Sequence, residues 1–314
     1  MNLKESKQSN CVVAIYMNTM PTEKTLGDCL YSITEQTKPV DVLFITHGLK
    51  SEQMAALITL AQKPFFTLFE RNDKGETVEK RIEATKKNNI TFVDSVDELN
   101  FSQIFNKVFN LANEAGYDFI SIAEAEDTFS LRWFEISQRY ADENPEVSIF
   151  LPLIKNSING TFSGLLNEAA WAEGMSEEAG KVDINLLMRF NCVNPLGALY
   201  RVSAIKEYSE ADKQVENVFY PMKESIKLSH YYEFFLRMIY NDIKVMSVPR
   251  IGYELSITRK EVYTDSTCKL PQDITSYPIE RGGVSPDEGR FWFELAKKEY
   301  FFDADRLRTY SPTI

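Results

Sequence analysis

The segment FISIAEAEDTFSLRWFEI, residues 119–136, joins a short apolar run to a dense group of acids. The apolar run at 119–122 predicts a buried strand. Three carboxylates follow it within four positions, at Glu124, Glu126 and Asp127. Carboxylates at this spacing repel one another, so the segment is either a solvated turn before the next helix or a site that binds a cation.

Short apolar runs alternate with helical patterns before this segment. Continuous apolar runs at 11–17 and 40–46 predict buried strands, and amphipathic patterns at 25–36, 51–62 and 101–114 predict helices. Such alternation is typical of a mostly parallel sheet covered by helices on both sides. The acids therefore follow the carboxyl end of a strand, which is the edge where open parallel sheets bind ligands.

Weaker patterns complete the predicted fold. The remaining predicted elements are strands at 65–69, 90–93, 147–154 and 243–249, a charged helix near 77–88, a strand that leads into a helix at 197–205, and an apolar helix at 231–241. Residues 254–284 are interpreted as an extended tail, and a proline in the first turn favours a terminal helix from residue 285. We predict one α/β domain over residues 1–256 and a C-terminal extension, 257–314, that contains this helix.

The overall composition excludes one class of protein. The chain has 314 residues, of which 44% are hydrophobic, and a formal net charge of −11. The hydrophobic content is typical of a globular protein. The negative charge argues against binding to nucleic acid, which needs a basic face to neutralise phosphates, so we expect no nucleic-acid partner.

Cysteine spacing and the N-terminal residues bear on the compartment. The four cysteines lie far apart and form no CxxC pair, which favours reduced thiols in a cytoplasmic protein over a zinc site or a disulfide framework. The polar start MNLKESKQSN lacks the apolar stretch of a signal peptide. No apolar run reaches the ~18 residues of a membrane span, so we expect no transmembrane segment, while peripheral membrane contact stays open.

The order of these motifs resembles the family 2 glycosyltransferases, which have the GT-A fold. In that family a strand precedes a helix with a CLxSLxxQT pattern and a second strand, and CLYSITEQTKPVDVLFITHGL, residues 29–49, is similar. Residues 101–127 resemble the next block, in which a helix with a characteristic asparagine, here Asn106, precedes a strand that ends in a metal-binding Asp-x-Asp. The segments GALYRVSAI (197–205) and YYEFFLRMIYNDIKVMSVP (231–249) resemble the acceptor-side half.

The resemblance implies a GT-A-type, three-layer α/β fold with a mostly parallel central sheet. It also implies an inverting glycosyltransferase that moves a sugar from a nucleotide sugar to a hydroxyl of a glycan or glycoconjugate, as in polysaccharide synthesis. In the matching positions, Thr46, His47, Asn106 and Glu124 would bind the donor. A structural hydrogen bond to a neighbouring strand end is the alternative for Asn106, and a simple turn position is the alternative for His47.

The acidic segment would hold Mg²⁺ or Mn²⁺ in the resembling family. Glu124 and Glu126 replace the two aspartates of Asp-x-Asp, and oxygen ligands of this kind suit either ion. Alternation along an extended strand would place both glutamates on one side, facing one ion. Asp127 would either complete the coordination or cap the following helix, and we predict the cap.

The acceptor-side helix has no carboxylate at the family's base position. That position falls on His230, whose ordinary pKa suits proton transfer from an acceptor hydroxyl. Glu233 is an alternative base, and Glu224 is another if the intervening segment folds back. Packing of His230 against the tyrosines that follow it, without a catalytic role, is the competing interpretation.

Departures from the family pattern keep a second class of function open. Thr46 and His47 stand where the family has an aspartate pair, and the aligned acidic base is absent. A catalytically silent GT-A-fold protein that acts as a binding or scaffold subunit is therefore the alternative hypothesis. A sugar nucleotidyltransferase is a weaker one, because YMNTMPTEK, residues 16–24, contains no glycine-rich phosphate loop.

Overall fold

The computed structural model describes most of the chain up to residue 257. The described residues are 7–17, 21–47, 49–62, 65–83, 90–95, 99–158, 161–172, 174–176, 178–189, 193–207, 210–211, 218–224 and 230–257. The predicted terminal helix and most of the predicted tail lie outside these residues. The part that is described contains the whole of the predicted sheet.

Strands and helices alternate through the described chain. Strands β1 to β14 are Cys11–Tyr16, Asp41–His47, Phe65–Arg71, Thr77–Glu83, Ile90–Ser95, Phe119–Glu124, Thr128–Phe129, Val147–Ile158, Thr161–Leu166, Lys181–Val182, Leu199–Arg201, Glu210–Ala211, Phe219–Tyr220 and Lys244–Ile257. Helices α1 to α7 are Glu23–Thr34, Ser51–Ala61, Phe101–Ala115, Trp133–Glu143, Ile184–Arg189, Val202–Glu207 and His230–Tyr240, and a 3₁₀ turn spans Ala169–Trp171.

The central sheet has the strand order β10-β14-β8-β11-β6-β1-β2-β5, with β7 added to β14 and β9 added to β8. Strands β5, β2, β1 and β6 are parallel neighbours, and β8 and β14 form a second parallel pair. The short strand β11 runs antiparallel between the two groups. Strands β5, β2, β1, β6, β8 and β14 therefore point in one direction, and their carboxyl ends meet at one edge.

Helices cover both faces of this sheet, as the sequence predicts. On one face, α1 and α4 are linked through Gln36, whose amide donates to Ser130 O at 2.7 Å and accepts from Phe134 N at 3.3 Å. On the other face, Phe105 of α3 packs against Phe234 of α7, with ring centroids 5.5 Å apart. The right-handed crossover rule requires this division, because the chain moves outward from β1 to β5 and then returns to β6. The predicted three-layer α/β fold is confirmed.

Local signals explain where the helices begin and end. At the start of α1, the Thr22 hydroxyl accepts a hydrogen bond from Thr25 N at 3.2 Å, which satisfies one of the free amides of the first turn. At the start of α3, the side chains of Asn100 and Gln103 form a reciprocal capping box. Helix α3 ends at Gly116, which has a φ of 73° that glycine adopts without strain.

The prediction of a charged helix near 77–88 was wrong over its described part. Residues Thr77–Glu83 form β4, which pairs with β3 in a two-stranded sheet separate from the central one. The turn before β4 is built by Asn72, whose side-chain oxygen accepts from Lys74 N at 3.0 Å and from Glu76 N at 2.9 Å. The segment TVEKRIE alternates with period two, so its charged residues suit an exposed ribbon as well as a helix.

The last two long strands extend further than the sequence predicts. Strand β8 continues to Ile158 and β14 continues to Ile257, past Pro249, with register shifts between Val248 and Tyr253. The extension of β14 takes up the first residues of the predicted tail and brings Tyr253 beside β7. In the described part of the chain, no helix is long and apolar enough to cross a membrane.

Candidate functional site at the carboxyl edge of the sheet

The parallel register brings the ends of three predicted strands together. Tyr16, the last residue of β1, pairs with Glu124 at the end of β6 and with Ile45 of β2. Thr46, next along β2, is fully buried, while the backbone of His47 ends that strand. The side chain of His47 lies outside the described part, so its predicted donor contact stays a prediction.

Glu124 is held by the first strand of the sheet. Its carboxylate Oε1 accepts a hydrogen bond from the Tyr16 hydroxyl at 2.5 Å, and its side chain is only 4% exposed. The Tyr16 ring is packed edge-on against Phe101, the first residue of α3, at 5.7 Å between centroids. The start of α3 is thereby fixed beside the strand ends.

Asp127 is held by the last strand of the sheet. Its Oδ2 accepts from the Tyr253 hydroxyl at 2.8 Å, and its Oδ1 accepts from Ser256 N at 2.9 Å. The same tyrosine oxygen accepts from Glu124 N at 3.1 Å, so Tyr253 bridges the two acidic residues. Burial raises the pKa of Tyr253, and the nearby carboxylates of Asp127 and Glu124 raise it further, so the hydroxyl stays protonated as a donor at neutral pH.

The predicted capping role of Asp127 was therefore wrong. Helix α4 starts at Trp133, and its N-cap is Arg132, without a side-chain capping hydrogen bond. Asp127 is instead completely buried and ties the turn after β6 to β14. The physical reason is the extension of β14 beyond residue 249, which supplies two donors that local sequence does not indicate.

The alternation argument for Glu124 and Glu126 was also wrong. Strand β6 ends at Glu124, and a turn follows in which Asp127 N donates to Glu124 O at 3.2 Å. Glu124 is buried there, whereas Glu126 is partly exposed. Within the described ranges, no group of three His, Cys, Asp or Glu side chains is placed to hold a metal ion together.

Packing against two glycines completes this edge. A Cβ on Gly197, whose φ is 69°, would lie 2.6 Å from the Tyr253 ring, and a Cβ on Gly252 would lie 2.4 Å from the Trp133 ring. The Trp133 indole donates to Gly197 O at 2.8 Å. The Tyr253 ring thus packs closely against Gly197, and its hydroxyl has a defined position between the acids.

Asn106 makes the structural hydrogen bonds that the sequence leaves as its alternative role. Its Nδ2 donates to Met222 O at 2.8 Å, and its Oδ1 accepts from Met222 N at 2.8 Å. The same Nδ2 lies 3.1 Å from the Glu224 carboxylate. The residue thus joins α3 to the segment that carries Met222 and Glu224.

Two of the three predicted base residues, His230 and Glu233, lie in the first turn of helix α7. Because α7 leads into β14, which runs toward the carboxyl edge, its first residue, His230, lies on the side of that edge, although its side chain is outside the described part. Glu233 is 1% exposed and accepts from Arg237 Nε at 2.9 Å, with Lys223 Nζ 3.6 Å away. Arg237 also donates to Pro221 O at 2.5 Å. This burial favours a structural role for Glu233.

Sequence reasoning missed Tyr16 and Tyr253 as parts of the site. Both stand in apolar strands, where a tyrosine is indistinguishable from an ordinary core aromatic. Their signal would have been the acids that they bond, since buried carboxylates need donors. Only the strand order shows which residues supply them.

Comparison with known proteins adds evidence on the fold. The sequence matches no protein-family model and no curated protein. Among solved structures, residues 1–349 of S. aureus TarS in complex with UDP-GlcNAc match with 11% identity and a TM-score of 0.53, over 97% of this chain and 76% of that one. The complex with UDP gives 13% identity and a TM-score of 0.51, over 96% and 75%.

A longer S. aureus TarS chain matches with 14% identity and a TM-score of 0.50, over 97% of this chain but only 45% of its own length. The present chain thus spans less than half of that protein. At these identities the likeness concerns the fold alone. The described chain has the α/β fold of S. aureus TarS, with its acidic segment at the carboxyl edge of the parallel strands.

Proposed function

We propose that this protein is a glycosyltransferase that binds a nucleotide sugar at the carboxyl edge of β1, β2 and β6. The observation that carries the proposal is the position of Glu124, Glu126 and Asp127 at this edge, in a fold shared with a glycosyltransferase. Structures of that protein, TarS, are in complex with UDP and UDP-GlcNAc. Open parallel sheets bind ligands at this edge, which supports the same place for the donor here.

The acidic segment supports binding of Mg²⁺ or Mn²⁺ through one carboxylate together with the phosphates of the nucleotide. Both oxygens of Asp127 already accept hydrogen bonds, and Glu124 accepts one from Tyr16, so these two acids are better suited to shaping the site than to direct coordination. The partly exposed Glu126 is the carboxylate that would contact the ion. Mg²⁺ is commonly held by one or two carboxylates and the phosphates of a nucleotide, so one acid here is sufficient. The bound ion would supply charge stabilisation for the departing diphosphate.

The chain's own residues would do the remaining work. Thr46 and His47 at the end of β2 would lie beside the nucleoside of the donor. Glu124, held in place by its hydrogen bond from Tyr16, would contact the sugar or the ribose. The acceptor, a glycan or glycoconjugate hydroxyl, would approach from the side of α7, where His230 is the base that the sequence predicts. The reaction would invert the anomeric centre in a direct displacement.

Thermal unfolding with a panel of UDP, GDP and dTDP sugars, each with and without Mn²⁺, tests this proposal. We expect at least one nucleotide sugar to raise the Tm in the presence of Mn²⁺, and the purified chain to release the nucleoside diphosphate from it. Glu126→Gln should remove the Mn²⁺ dependence, while Glu143→Gln at the exposed end of α4 should not. If no nucleotide sugar in the panel shifts the Tm, the proposal is wrong.

A catalytically silent binding protein is the second candidate. The observation that favours it is the burial of Glu233 in an ion pair with Arg237, which withdraws one of the three predicted bases from contact with an acceptor. This candidate predicts that a nucleotide sugar binds and raises the Tm but that no nucleoside diphosphate is released over hours. Release of the diphosphate excludes it.

A further inference from the structure

Two asparagines one turn apart on α3 hold the chain that precedes α7. Asn110 Nδ2 donates to Phe219 O at 2.7 Å and its Oδ1 accepts from Phe219 N at 2.9 Å. Asn106 makes the same pair of bonds with Met222, at 2.8 Å each. Each amide therefore imitates a neighbouring β-strand, and the segment from Phe219 to Met222 is fixed along the helix.

The four hydrogen bonds that Asn106 and Asn110 make with this segment, here called the asparagine ladder, run in a direction that brings the chain toward the candidate site. Phe219 is bonded to Asn110 and Met222 to Asn106, so the chain moves toward the N-terminal end of α3 as it advances. That end carries Phe101, whose ring contacts Tyr16 at the carboxyl edge of the sheet. Helical rise places Asn106 about 7.5 Å along the axis from Phe101. The next residues of the segment therefore approach the edge where the acids lie.

Opposite charges hold the other side of the segment. Arg237 of α7 donates to Pro221 O and to Glu233, and Lys223 lies 3.6 Å from Glu233. The buried Glu233 thus compensates both cations of this region. Among the described residues, Glu224 forms no ion pair within 4 Å, and it is exposed, with one carboxylate oxygen 3.1 Å from Asn106 Nδ2.

We propose that Glu224 is the general base of the transfer reaction and that Asn106 is the residue that positions it. The inference deepens the proposed function and rests on it. Glu224 is an exposed acid on a rigid segment, oriented by a neutral amide rather than neutralised by a cation. Of the other two bases predicted from the sequence, Glu233 is buried and paired with Arg237, and the His230 side chain lies outside the described part.

The proton and electron balance of the step is simple. The acceptor hydroxyl gives its proton to the Glu224 carboxylate as its oxygen forms a bond to the anomeric carbon. The bond from that carbon to the diphosphate oxygen breaks, and its electron pair leaves with the nucleoside diphosphate. Asn106 keeps the carboxylate in one orientation through its Nδ2, while its remaining bonds to Met222 keep the segment in place.

The test uses the full chain and the nucleotide sugar from which the wild-type protein releases nucleoside diphosphate in the panel above. Water and glycerol serve as generic hydroxyl acceptors, with glycerol at about 1 M so that weak binding approaches saturation. Glu224→Gln keeps an oxygen that accepts from Asn106 but removes the basic group. We expect its kcat to fall by about 100-fold or more, as for loss of a general base, with the Kd for the nucleoside diphosphate and the Tm unchanged. The matched control is Glu114→Gln, an exposed glutamate at the far end of α3, which should leave kcat unchanged.

The asparagine ladder supplies its own control. Asn106→Ala and Asn110→Ala each remove a two-bond clamp, so both should lower the Tm by a similar amount, but only Asn106 touches Glu224. We expect kcat to fall in Asn106→Ala alone, with the donor KM unchanged in both. Equal kcat values in the two variants would show that the ladder is purely structural and overturn the positioning role.

Further outcomes separate this inference from the proposed function. A kcat retained in Glu224→Gln and lost in His230→Ala assigns the base to His230 and overturns the inference, while the proposed function stands. A similar loss in Glu224→Gln and Glu114→Gln also overturns it. If the wild-type chain releases no nucleoside diphosphate from any donor in the panel, the proposed enzyme activity fails first, and the base assignment falls with it.

Discussion

Tyr253→Phe should destabilise the protein far more than removal of a typical tyrosine hydroxyl. The hydroxyl donates to the fully buried Asp127 and accepts from Glu124 N, so its loss removes two hydrogen bonds at once. A hydrogen bond to a charged group contributes about 1.5–3 kcal/mol, and an unsatisfied buried amide costs about 1–3 kcal/mol. We therefore expect the free energy of unfolding to fall by about 2.5–6 kcal/mol, the sum of these two contributions.

Tyr200→Phe is the matched control for this change. Tyr200 is also fully buried, but its hydroxyl donates one hydrogen bond, 2.8 Å long, to the neutral Pro195 O. Its loss should cost about 1 kcal/mol. Urea unfolding followed by circular dichroism at pH 7 measures both variants.

The comparison between the two variants decides whether the reasoning holds. If Tyr253→Phe and Tyr200→Phe lose the same free energy of unfolding, the bridge between the acids contributes no more than an ordinary hydrogen bond. The acidic segment would then be held by backbone geometry rather than by β14. A lower denaturant slope in both variants, without a change of midpoint, would likewise contradict the calculation, because the slope reports the surface that becomes exposed on unfolding.

Three further predictions follow from the same packing and charges. Gly197→Ala places a Cβ 2.6 Å from the Tyr253 ring at a φ of 69°, so urea unfolding should show that the free energy of unfolding falls by about 2–4 kcal/mol. Gly27→Ala, in the open middle of α1, should instead raise the free energy of unfolding by about 0.5–1 kcal/mol. Equal effects of the two alanines would contradict the packing argument. Because burial raises the pKa of Tyr253, the stabilisation from its neutral form is fully present below about pH 10 and is lost as the pH rises further. Wild-type stability should therefore fall more steeply above about pH 10 than that of Tyr253→Phe, and parallel curves would disprove it. The hydrogen bond from Arg132 lowers the pKa of Glu135 to about 2, so the contribution of this pair to stability is present above pH 4.5 and is lost as the pH falls through 2. Carbon NMR titration should show this low pKa, and Arg132→Ala should raise the pKa of Glu135 toward its ordinary value.

The parallel half of the fold could be predicted because its signals are local. Strands β1, β2 and β6 are continuous apolar runs, and α1 and α3 carry one apolar face each, so every element shows its own burial pattern. The order of these elements alone then places the acids at the carboxyl edge. The ribbon of β3 and β4 could not be recognised in the same way, because its charged second strand is not part of the main core and fits two periodicities.

The site itself could be predicted only in position. The acids at 124–127 are visible in the sequence, but their partners are not: Tyr16 lies 108 residues before Glu124, and Tyr253 lies 126 residues after Asp127. No local pattern links residues at such separations. The assignment of Asp127 to a helix cap followed the nearest available amides, and the fold gave it donors from a distant strand instead.

Hydrogen bonds from two distant strands allow three acids to stand close together in this chain. Each of two carboxylates is compensated by a different strand, Glu124 by β1 through Tyr16 and Asp127 by β14 through Tyr253 and Ser256. Only Glu126 remains on the turn with a partly exposed side chain. Their mutual repulsion is thus reduced by strands on opposite sides of the edge, and these hydrogen bonds offset part of the cost of burying them. An acidic turn with no functional demand would leave all three side chains in water, so the burial of two of them beside a partly exposed third favours a built site over a solvated turn.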